Sequence, residues 1–358
     1  MSVVMHDLPR TEAGNGIVSV GLLDDARAPE WDAFVESCPD ATFFHRAGWR
    51  RVLEQVLGHQ AHYLYAERDG VIVGVLPLGH VKTVLFGNAL ISVPFCVYGG
   101  VAAQDERAAA VLTDAACDLA ERLEVDYLEL RNQVPRNPGW PRKDDLYVTF
   151  RKPIDADVEK NMLAIPRKQR AMVRKGIKHE LTGELDGDVE RFFPIYSDSV
   201  RRLGTPVFAR RYFEALMDAF GDDCEVLTVT RNGEPVSSVL SFYFRDQVLP
   251  YYGGGTEQAR EVAGYDFLYW DLMRRACERG YRVFDYGRSK VGTGSYSFKK
   301  NWGFEPEPLH YEYHLVRAKS VPDINPLNPK YRLFIAAWKR LPLPVANLLG
   351  PMISRGLG

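Results

Sequence analysis

One stretch of the chain, FDYGRSKVGTGSYSFKKNWGFE at residues 284–305, combines two acids, three lysines and glycine-rich backbone. Asp285 lies inside an aromatic run that predicts a strand, near the carboxyl end of that strand, where α/β sheets tend to expose ligand-facing groups. Its carboxylate could accept a proton from an attacking ammonium or orient an amine; alternatively, it could pair with Arg282 or Arg288 and fix the loop. Lys299 is expected in a loop, where its ammonium could stabilise an oxyanion or meet a substrate phosphate. Asp285 and Lys299 are therefore candidate catalytic residues for acyl transfer to an amine.

Residues near this pair are candidates for substrate binding. Arg288 and Ser289 follow a glycine and could form a small anion-binding turn, or an ordinary turn with a solvated arginine. Phe298 is a candidate wall of the site. Tyr252 and Gly253 place a phenol beside backbone that can approach a ligand closely, although tyrosines in this setting are more often packing residues.

The elements that must position these residues occur twice along the chain. Each copy has a hairpin, a strand ending in Tyr-Gly-Gly, a helix and a strand with a central acid. The matching positions are the turns Asp69-Gly70 and Asn232-Gly233, the strand ends Tyr98-Gly99-Gly100 and Tyr252-Gly253-Gly254, and the acids Glu129 and Asp285. Four features in one order indicate duplication, although this arrangement is also common in unrelated α/β proteins. The pattern predicts an α/β fold with mixed sheets and packed helices.

A basic helix is predicted between the two copies. Pro166 suits its first turn, and the cations that follow recur at helical spacing on one face. These cations are Arg167, Arg170, Arg174 and Lys178, with Lys168 and Lys175 beside them. A solvated surface is the ordinary reading of such a run. Its density instead favours an anionic partner, such as a tRNA phosphate, a nucleotide diphosphate, a lipid pyrophosphate or the inner membrane leaflet.

Length and composition limit the remaining possibilities. The 358 residues suit two domains, and we expect domains at residues 1–155 and 156–322, with a C-terminal amphipathic tail at 323–358. A net charge of -2 means that any anion site is a local patch. The five scattered cysteines predict neither disulfides nor a zinc site, and we expect no bound metal or cofactor. Without a signal-peptide or membrane-spanning pattern, the chain is expected to be cytoplasmic, with peripheral contact of the tail with the inner membrane as an additional expectation.

The doubled unit, the basic helix and the FDYGRS…GTGSYSFKKNWG element together resemble the Fem-type transferases. The segments DATFFHRAGWRRVLEQVLGH and NPLNPKYRLFIAAWKRLPLP are similar to the FemAB-related proteins that accompany exosortase/PEP-CTERM and exopolysaccharide genes. The resemblance implies two tandem GNAT-like domains, with chemistry in the second. It also implies that Lys299 faces the active site and that the helix start with His45 and Trp49 lines an acceptor groove. Tyr98 is a further candidate on the acceptor side, although these three residue types are more often packing residues.

The resemblance implies aminoacyl-tRNA as donor and an amine of a peptidoglycan precursor as acceptor. Residues 182–223 are too short for the coiled-coil arm of many Fem enzymes, which leaves the tRNA contact of that arm open. The phosphate-binding motif of acetyl-CoA enzymes, Q/R-x-x-G-x-G/A, is not found at its expected place, TEQAREVAGYDFLYW. The leading interpretation is transfer of an aminoacyl or acyl group to an amine of a cell-envelope or exopolysaccharide precursor, anionic or lipid-linked. The donor would be charged tRNA or a thioester of coenzyme A or acyl carrier protein. The alternatives are an acyl-CoA-dependent N-acetyltransferase and a non-catalytic scaffold protein.

Overall fold

The hydrophobic runs of the sequence form strands that assemble into two sheets. The structure, a computed structural model, describes residues 16–83, 87–321 and 329–357. In chain order the strands are β1 Val18–Leu22, β2 Gln60–Arg68, β3 Val71–Thr83, β4 Gly87–Ser92, β5 Ala102–Ala103, β6 Tyr127–Asn132, β7 Arg142–Lys143, β8 Tyr147–Pro153, β9 Thr182–Asp186, β10 Cys224–Arg231, β11 Glu234–Phe244, β12 Gln247–Gly255, β13 Val283–Asp285, β14 Ser289–Lys290, β15 Pro306–Pro308 and β16 His310–Leu315.

Helices of very different length separate the strands. They are α1 Ala28–Ser37, α2 Gly48–Arg51, α3 Glu106–Arg122, α4 Val158–Ala164, α5 Arg167–Lys178, α6 Phe192–Leu203, α7 Arg210–Phe220, α8 Gln258–Glu261, α9 Gly264–Glu278, α10 Gly294–Asn301, α11 Pro329–Trp338 and α12 Leu343–Ser354. Short 3-10 turns lie at Phe43–His45 and Gly221–Asp223, and a π-helical turn lies at Val52–Leu57.

The chain divides into two compact units that do not follow simple sequence order. The first comprises Met1–Asp144, Leu309–Asp323 and Gly356–Gly358, and the second comprises Asp145–Pro308 and Ile324–Arg355. The boundary expected at residue 155 therefore differs from the one in the structure, because β8 pairs with β13 of the second sheet. The part of the expected tail at residues 322–328 lies outside the described residues.

The sheet of the first unit runs in the order β1-β2-β3-β4-β6-β16-β7, with β5 on β3. The pair β4–β6 is parallel, and the other neighbours are antiparallel. Helix α3 is capped by the Asp105 carboxylate, which accepts from Ala108 N at 2.9 Å. Its alanines and leucines are buried against this sheet.

Strand β16 is anchored in the first unit by a fully buried carboxylate. Glu312 is 0% exposed, and its oxygens accept from Asn132 Nδ2 at 2.6 Å and Asn137 Nδ2 at 2.7 Å. The backbone N–H groups of Arg136 and Asn137 donate to it as well. A buried carboxylate is costly unless such donors surround it, so Glu312 fixes where this returning strand binds.

The sheet of the second unit runs β14-β8-β13-β12-β11-β10-β9, with β15 on β8. The parallel strands β12 and β13 pair only at Gln247–Val283 and Val248–Phe284, so a gap opens beyond them.

Helices cover both faces of this second sheet. A Cβ on Gly254 would lie 2.9 Å from Tyr196 Cα of α6, whereas one on Gly255 would lie 2.9 Å from Ala259 Cβ of α8. Successive residues of a strand face opposite ways, so α6 lies on one face and α8 on the other.

Most local predictions are confirmed. Asp69 and Asn232 adopt φ of 51° and 52° before their glycines, as hairpin turns of this type require. Helix α5 spans the expected residues, Asp285 lies at the carboxyl end of β13, and α11 and α12 lie within the segment expected to be an amphipathic tail.

Two local predictions are wrong. In the first copy the strand ends at Ser92 rather than at Tyr98, because Val93 and Phe95 have φ of 40° and 69°, which interrupts a strand. Lys299 lies in helix α10 rather than in a loop. The side chain of Thr293 caps this helix by accepting from Tyr296 N at 3.4 Å.

Candidate active site

The carboxylate of Asp285 is buried at the end of β13. The residue is 0% exposed, and its Oδ1 accepts from the backbone N–H of Gly287 at 2.8 Å. Arg151 of β8 places its Nε 3.4 Å from Oδ2. The observed ion pair is thus with an arginine that the sequence did not single out, rather than with Arg282. In this position Asp285 shapes the turn that follows β13, and its carboxylate presents no surface to solvent.

Lys299 lies beside the same turn. Its half-buried side chain extends from α10, and Nζ donates to the carbonyl oxygens of Gly287 at 2.9 Å and Arg288 at 3.0 Å. The ammonium also lies 5.6 Å from the ring centre of Tyr286 and 5.7 Å from that of Phe150. Burial lowers the pKa of Lys299 to about 7; the Asp285 charge opposes this shift and Arg288 adds to it. Both protonation states are therefore accessible near neutral pH.

Arg288 and Ser289 follow the same turn, and both contact neighbouring side chains. The Arg288 guanidinium lies 4.6 Å from the ring centre of Tyr147, a cation–π distance. Ser289 is buried, and its hydroxyl accepts from Ser295 Oγ at 3.1 Å. Ser289 therefore links β14 to α10 and stabilises the helix that carries Lys299.

Phe298 belongs to an aromatic wall next to the gap between β12 and β13. Its half-buried ring lies 5.8 Å from Tyr269 and 6.2 Å from Tyr286, measured between ring centroids. Within the described part of the chain, the buried hydroxyl of Tyr286 has no hydrogen-bond partner. Leaving such a group unpaired typically costs about 1–3 kcal/mol, so this hydroxyl is a candidate contact for a substrate atom.

Tyr252 and Gly253 have packing roles in the structure. The Tyr252 hydroxyl is 2.9 Å from that of Tyr212, inside an aromatic cluster formed with α6 and α7. A Cβ on Gly253 would lie 2.8 Å from the hydroxyl oxygen of Tyr269. The Tyr269 side chain therefore packs closely on Gly253, and Tyr252 points away from this tyrosine, since successive residues alternate.

The three candidates of the first unit are core residues. His45, Trp49 and Tyr98 are 1%, 5% and 2% exposed. His45 Nδ1 accepts from the backbone N–H of Thr42, which leaves Nε2 protonated to donate to Gly100 O at 2.9 Å. Trp49 and Tyr98 both pack on the ring of Phe44.

The basic helix α5 presents an uncompensated positive surface. Arg167, Arg174 and Lys175 are exposed, and the half-buried Arg170 donates to Leu163 O at 3.0 Å. None of these cations lies within ion-pair distance of an acidic group among the residues that the structure describes. Charges of one sign without local partners attract anions.

A buried acid connects this basic helix to the segment after Lys299. Asp266 Oδ1 accepts from Gln169 Nε2 of α5 at 3.3 Å and from Trp302 Nε1 at 3.1 Å. Burial raises the pKa of Asp266, against the effect of these two donors. Pro166 lies 3.2 Å from the position of a Cβ on Gly303. The cationic helix and α10 are therefore fixed to each other within the second unit.

Sequence reasoning missed Arg151, Asp266 and Tyr286. Asp266 had a signal, since it is an acid inside the apolar helix run YDFLYWDLM. Tyr286 was visible in the aromatic run but was assigned only to the strand. Arg151 carried no local signal, because its partner is distant in sequence.

Two further features concern metal binding and membrane-spanning helices. No group of three or more His, Cys, Asp or Glu residues that could hold a metal ion is found among residues 16–83, 87–321 and 329–357. Across the same described residues, no helix is both long and apolar enough to cross a bilayer.

Comparison with known proteins concerns the fold. Residues 164–300 match the family described as an acetyltransferase (GNAT) domain; they lie in the second unit and include α5 and Lys299 of α10. This chain has a tandem GNAT fold. FemX superposes with a TM-score of 0.68 at 17% identity, covering 84% of this chain and 98% of FemX. No curated protein matches.

Two other solved structures are similar to this chain in fold. A tandem GNAT protein from the clavulanic acid biosynthesis pathway gives a TM-score of 0.53 at 12% identity, covering 85% of this chain and all 100% of that one. The C-terminal domain of a protein named as a lysylphosphatidylglycerol synthetase of Agrobacterium fabrum gives 0.54 at 13% identity, covering 80% and 91%. At these identities the likeness concerns the fold.

Proposed function

We propose that this chain is an acyltransferase that moves an aminoacyl or acyl group onto an amine of a cell-envelope or exopolysaccharide precursor. The observation that carries the proposal is Lys299, a lysine with a pKa of about 7 beside the divergence of β12 and β13 in a GNAT domain. The names of FemX and of the lysylphosphatidylglycerol synthetase support an acceptor of the cell envelope. Membership of the exosortase-associated subgroup, cytoplasmic location and the exopolysaccharide acceptor rest on the sequence resemblance.

Lys299 and Asp285 have different roles in this reaction. The neutral amine of the acceptor attacks the carbonyl carbon of a donor ester or thioester; a C–N bond forms, and the carbonyl π electrons move to oxygen. The Lys299 ammonium stabilises this oxyanion. The tetrahedral intermediate collapses, the C–O or C–S bond breaks, and the leaving group takes up the proton that the amine loses. Asp285 holds the turn and the charge state of Lys299, since its buried carboxylate contacts Gly287 and Arg151 rather than solvent.

Substrate binding falls to the surfaces next to the reacting centre. Phe298 and Tyr286 would line the acyl group, with the Tyr286 hydroxyl donating to a polar atom of it. The cations of α5, at Arg167, Arg170, Arg174 and Lys175, would bind substrate phosphates. Charged tRNA and thioesters of coenzyme A or acyl carrier protein all carry such phosphates, so this surface suits each of these donors.

One observation favours a second candidate, a scaffold protein without catalysis. Two of the three donors of the Lys299 ammonium are occupied by the carbonyl oxygens of Gly287 and Arg288. A lysine held in this way could serve only to fix the loop. Under this candidate the α5 surface binds a precursor and no acyl group is transferred.

An assay of transfer with the full chain distinguishes the two candidates. The purified protein is incubated with a precursor extract and, in turn, labelled aminoacyl-tRNA, acetyl-CoA and acyl carrier protein thioester. Lys299→Met keeps the apolar stem and removes the charge, and Lys300→Met is the matched control because Lys300 is the exposed neighbour on α10. We expect transfer from one donor, at least 100-fold slower in Lys299→Met and unchanged in Lys300→Met. Equal rates in the two variants would reject the catalytic role.

A further inference from the structure

Helix α12 carries an apolar stripe on its outward side. Val345, Leu348, Leu349 and Met352 are 38%, 73%, 39% and 72% exposed. Their spacing of three, one and three residues places all four on one helical face. The opposite face is buried, with Ala346 and Ser354 inside. Exposed single apolar residues are ordinary, but four at helical spacing form a surface.

Helix α11 carries exposed apolar residues as well. Leu333 is 80% exposed and Phe334 is 40% exposed. Lys339 and Arg340 follow, both exposed, at the junction with α12. Residues 324–358 contain five Lys or Arg residues and no Asp or Glu. The surface is therefore apolar with charges of one sign at its edge.

The helix pair is firmly held on the second unit. Arg201 of α6 donates to the carbonyl oxygens of Lys339 at 2.9 Å and Leu341 at 3.3 Å. A Cβ on Gly350 would lie 2.8 Å from Val207 O, and one on Gly204 would lie 2.5 Å from Ile335 Cγ2. These contacts fix the inward faces of α11 and α12 and leave the outward faces uncovered.

We propose that the outward face of α11 and α12 docks on the surface of an anionic phospholipid bilayer. An amphipathic helix that lies in the interface plane buries its apolar side chains at the boundary between headgroups and acyl chains, and its Lys and Arg residues attract anionic lipid. Leu348 and Met352 enter this boundary, and Lys339 and Arg340 contact the headgroups. The docking is peripheral, consistent with helices of 10 and 12 residues.

The charge of the surface favours a bilayer over a second copy of the chain. A twofold interface would bring the same patch of both copies together. Lys339 and Arg340 would then approach their own counterparts with no acid in residues 324–358 to offset them. An anionic bilayer instead supplies opposite charge over the whole surface.

The basic face of α5 is a separate surface of the second unit. Helix α12 packs on α6, whereas α5 packs on α9. Gly254 faces α6, and Gly253 faces Tyr269 of α9, so α6 and α9 cover opposite faces of the sheet. Binding of lipid by α11 and α12 therefore leaves α5 available for another anion. The inference does not depend on the acyl-transfer proposal.

Flotation of the full chain with lipid vesicles tests the docking. The probes are vesicles of phosphatidylcholine alone and of phosphatidylcholine with phosphatidylglycerol. The variants are Leu348→Glu with Met352→Glu, and Lys339→Gln with Arg340→Gln. The control is Leu163→Glu, an apolar residue of α4 that is 62% exposed and lies outside the surface. Circular dichroism verifies that each variant is folded.

We expect binding to the phosphatidylglycerol vesicles that exceeds binding to phosphatidylcholine at least tenfold. The apolar double variant should reduce it more than tenfold, and the charge variant should reduce it about fivefold for each charge removed. Leu163→Glu should leave it unchanged. Absence of binding by the parent chain, equal binding to both vesicles, or equal loss in the control would overturn the proposal. Dimerisation that Leu348→Glu with Met352→Glu abolishes would overturn it in favour of a second copy.

Discussion

Lys299 Nζ donates to the carbonyl oxygen of Gly287, whose own N–H donates to the Asp285 carboxylate. The lysine and the aspartate therefore act on the same turn through the two backbone polar groups of one residue, Gly287. Asp285 stabilises the turn through its N–H side, and Lys299 stabilises it through its carbonyl side. The following predictions depend on this connection and on the surfaces around it.

The stability of the protein should depend on pH through Lys299. Its pKa falls from 10.5 to about 7 on folding, so between these values the unfolded chain binds a proton that the folded chain does not. Stability contributed by this residue therefore rises with pH from about 7 to about 10, and it is level below pH 7. Urea unfolding of the parent and Lys299→Met at pH 6, 8 and 9.5 measures this. The unfolding free energy of the parent minus that of Lys299→Met should increase with pH. A difference that does not change with pH would contradict the prediction.

Asp285→Asn should lower the pKa of Lys299 and leave the chain folded. Asparagine can still accept from Gly287, but it loses the charge that faces Arg151 and opposes the shift at Lys299. We expect a loss of about 1–3 kcal/mol in unfolding free energy and a pKa of Lys299 below that of the parent. Titration of the lysine by NMR measures the second effect. Loss of transfer at every pH, with the pKa of Lys299 unmoved, would instead indicate that Asp285 is a base.

Removal of the Tyr286 hydroxyl should separate stability from activity. Because this buried oxygen has no partner in the described structure, Tyr286→Phe should keep or slightly raise the melting temperature. Transfer should fall if the hydroxyl contacts the acyl donor. Tyr212→Phe is the matched control: it removes a buried hydroxyl that is paired with Tyr252 and should cost about 1 kcal/mol of stability. A destabilised Tyr286→Phe would show that the hydroxyl has a structural partner.

Replacement of Arg167, Arg174 and Lys175 by glutamine should weaken anion binding without unfolding the chain. The three side chains are exposed on α5, so their removal should change the melting temperature little. Fluorescence titration with uncharged tRNA across a salt series is the measurement. The slope of log affinity against log salt should decrease by about two to three. Arg231→Gln, on the β10 hairpin, is the control, and an equal decrease there would show that the binding is not local to α5.

Local features of the fold followed from the sequence because short-range rules determine them. The Asp69-Gly70 turn and helix α5 depend on residues within a few positions of one another, and both are as predicted. The helix around Lys299 was missed because Gly294 and the serines beside it have weak helical preference, whereas the Thr293 cap and packing on the sheet stabilise it.

Features that depend on distant partners could not be read from the sequence. The ion pair of Asp285 with Arg151 and the shared acceptor Asp266 join residues from separate elements. The burial of His45 and Tyr98 likewise depends on which neighbours cover them. The sequence therefore indicated the stretch of chain around β13 and α10 in which the candidate residues lie together, while the contacts of its members required the three-dimensional structure.

The position of β16 has a consequence for synthesis of the chain. The first sheet binds this strand through Glu312, yet residues 310–315 follow the whole segment 145–308 in sequence. A nascent chain that has just completed β7 still lacks β16. Asn132 and the backbone N–H of Arg136 can therefore donate to Glu312 only after the second unit has been translated. Residues up to 144 therefore lack one strand of their sheet, and they form a folding intermediate until β16 has been synthesised. A fragment cut after residue 155 would remain one, with an open strand edge available to other chains.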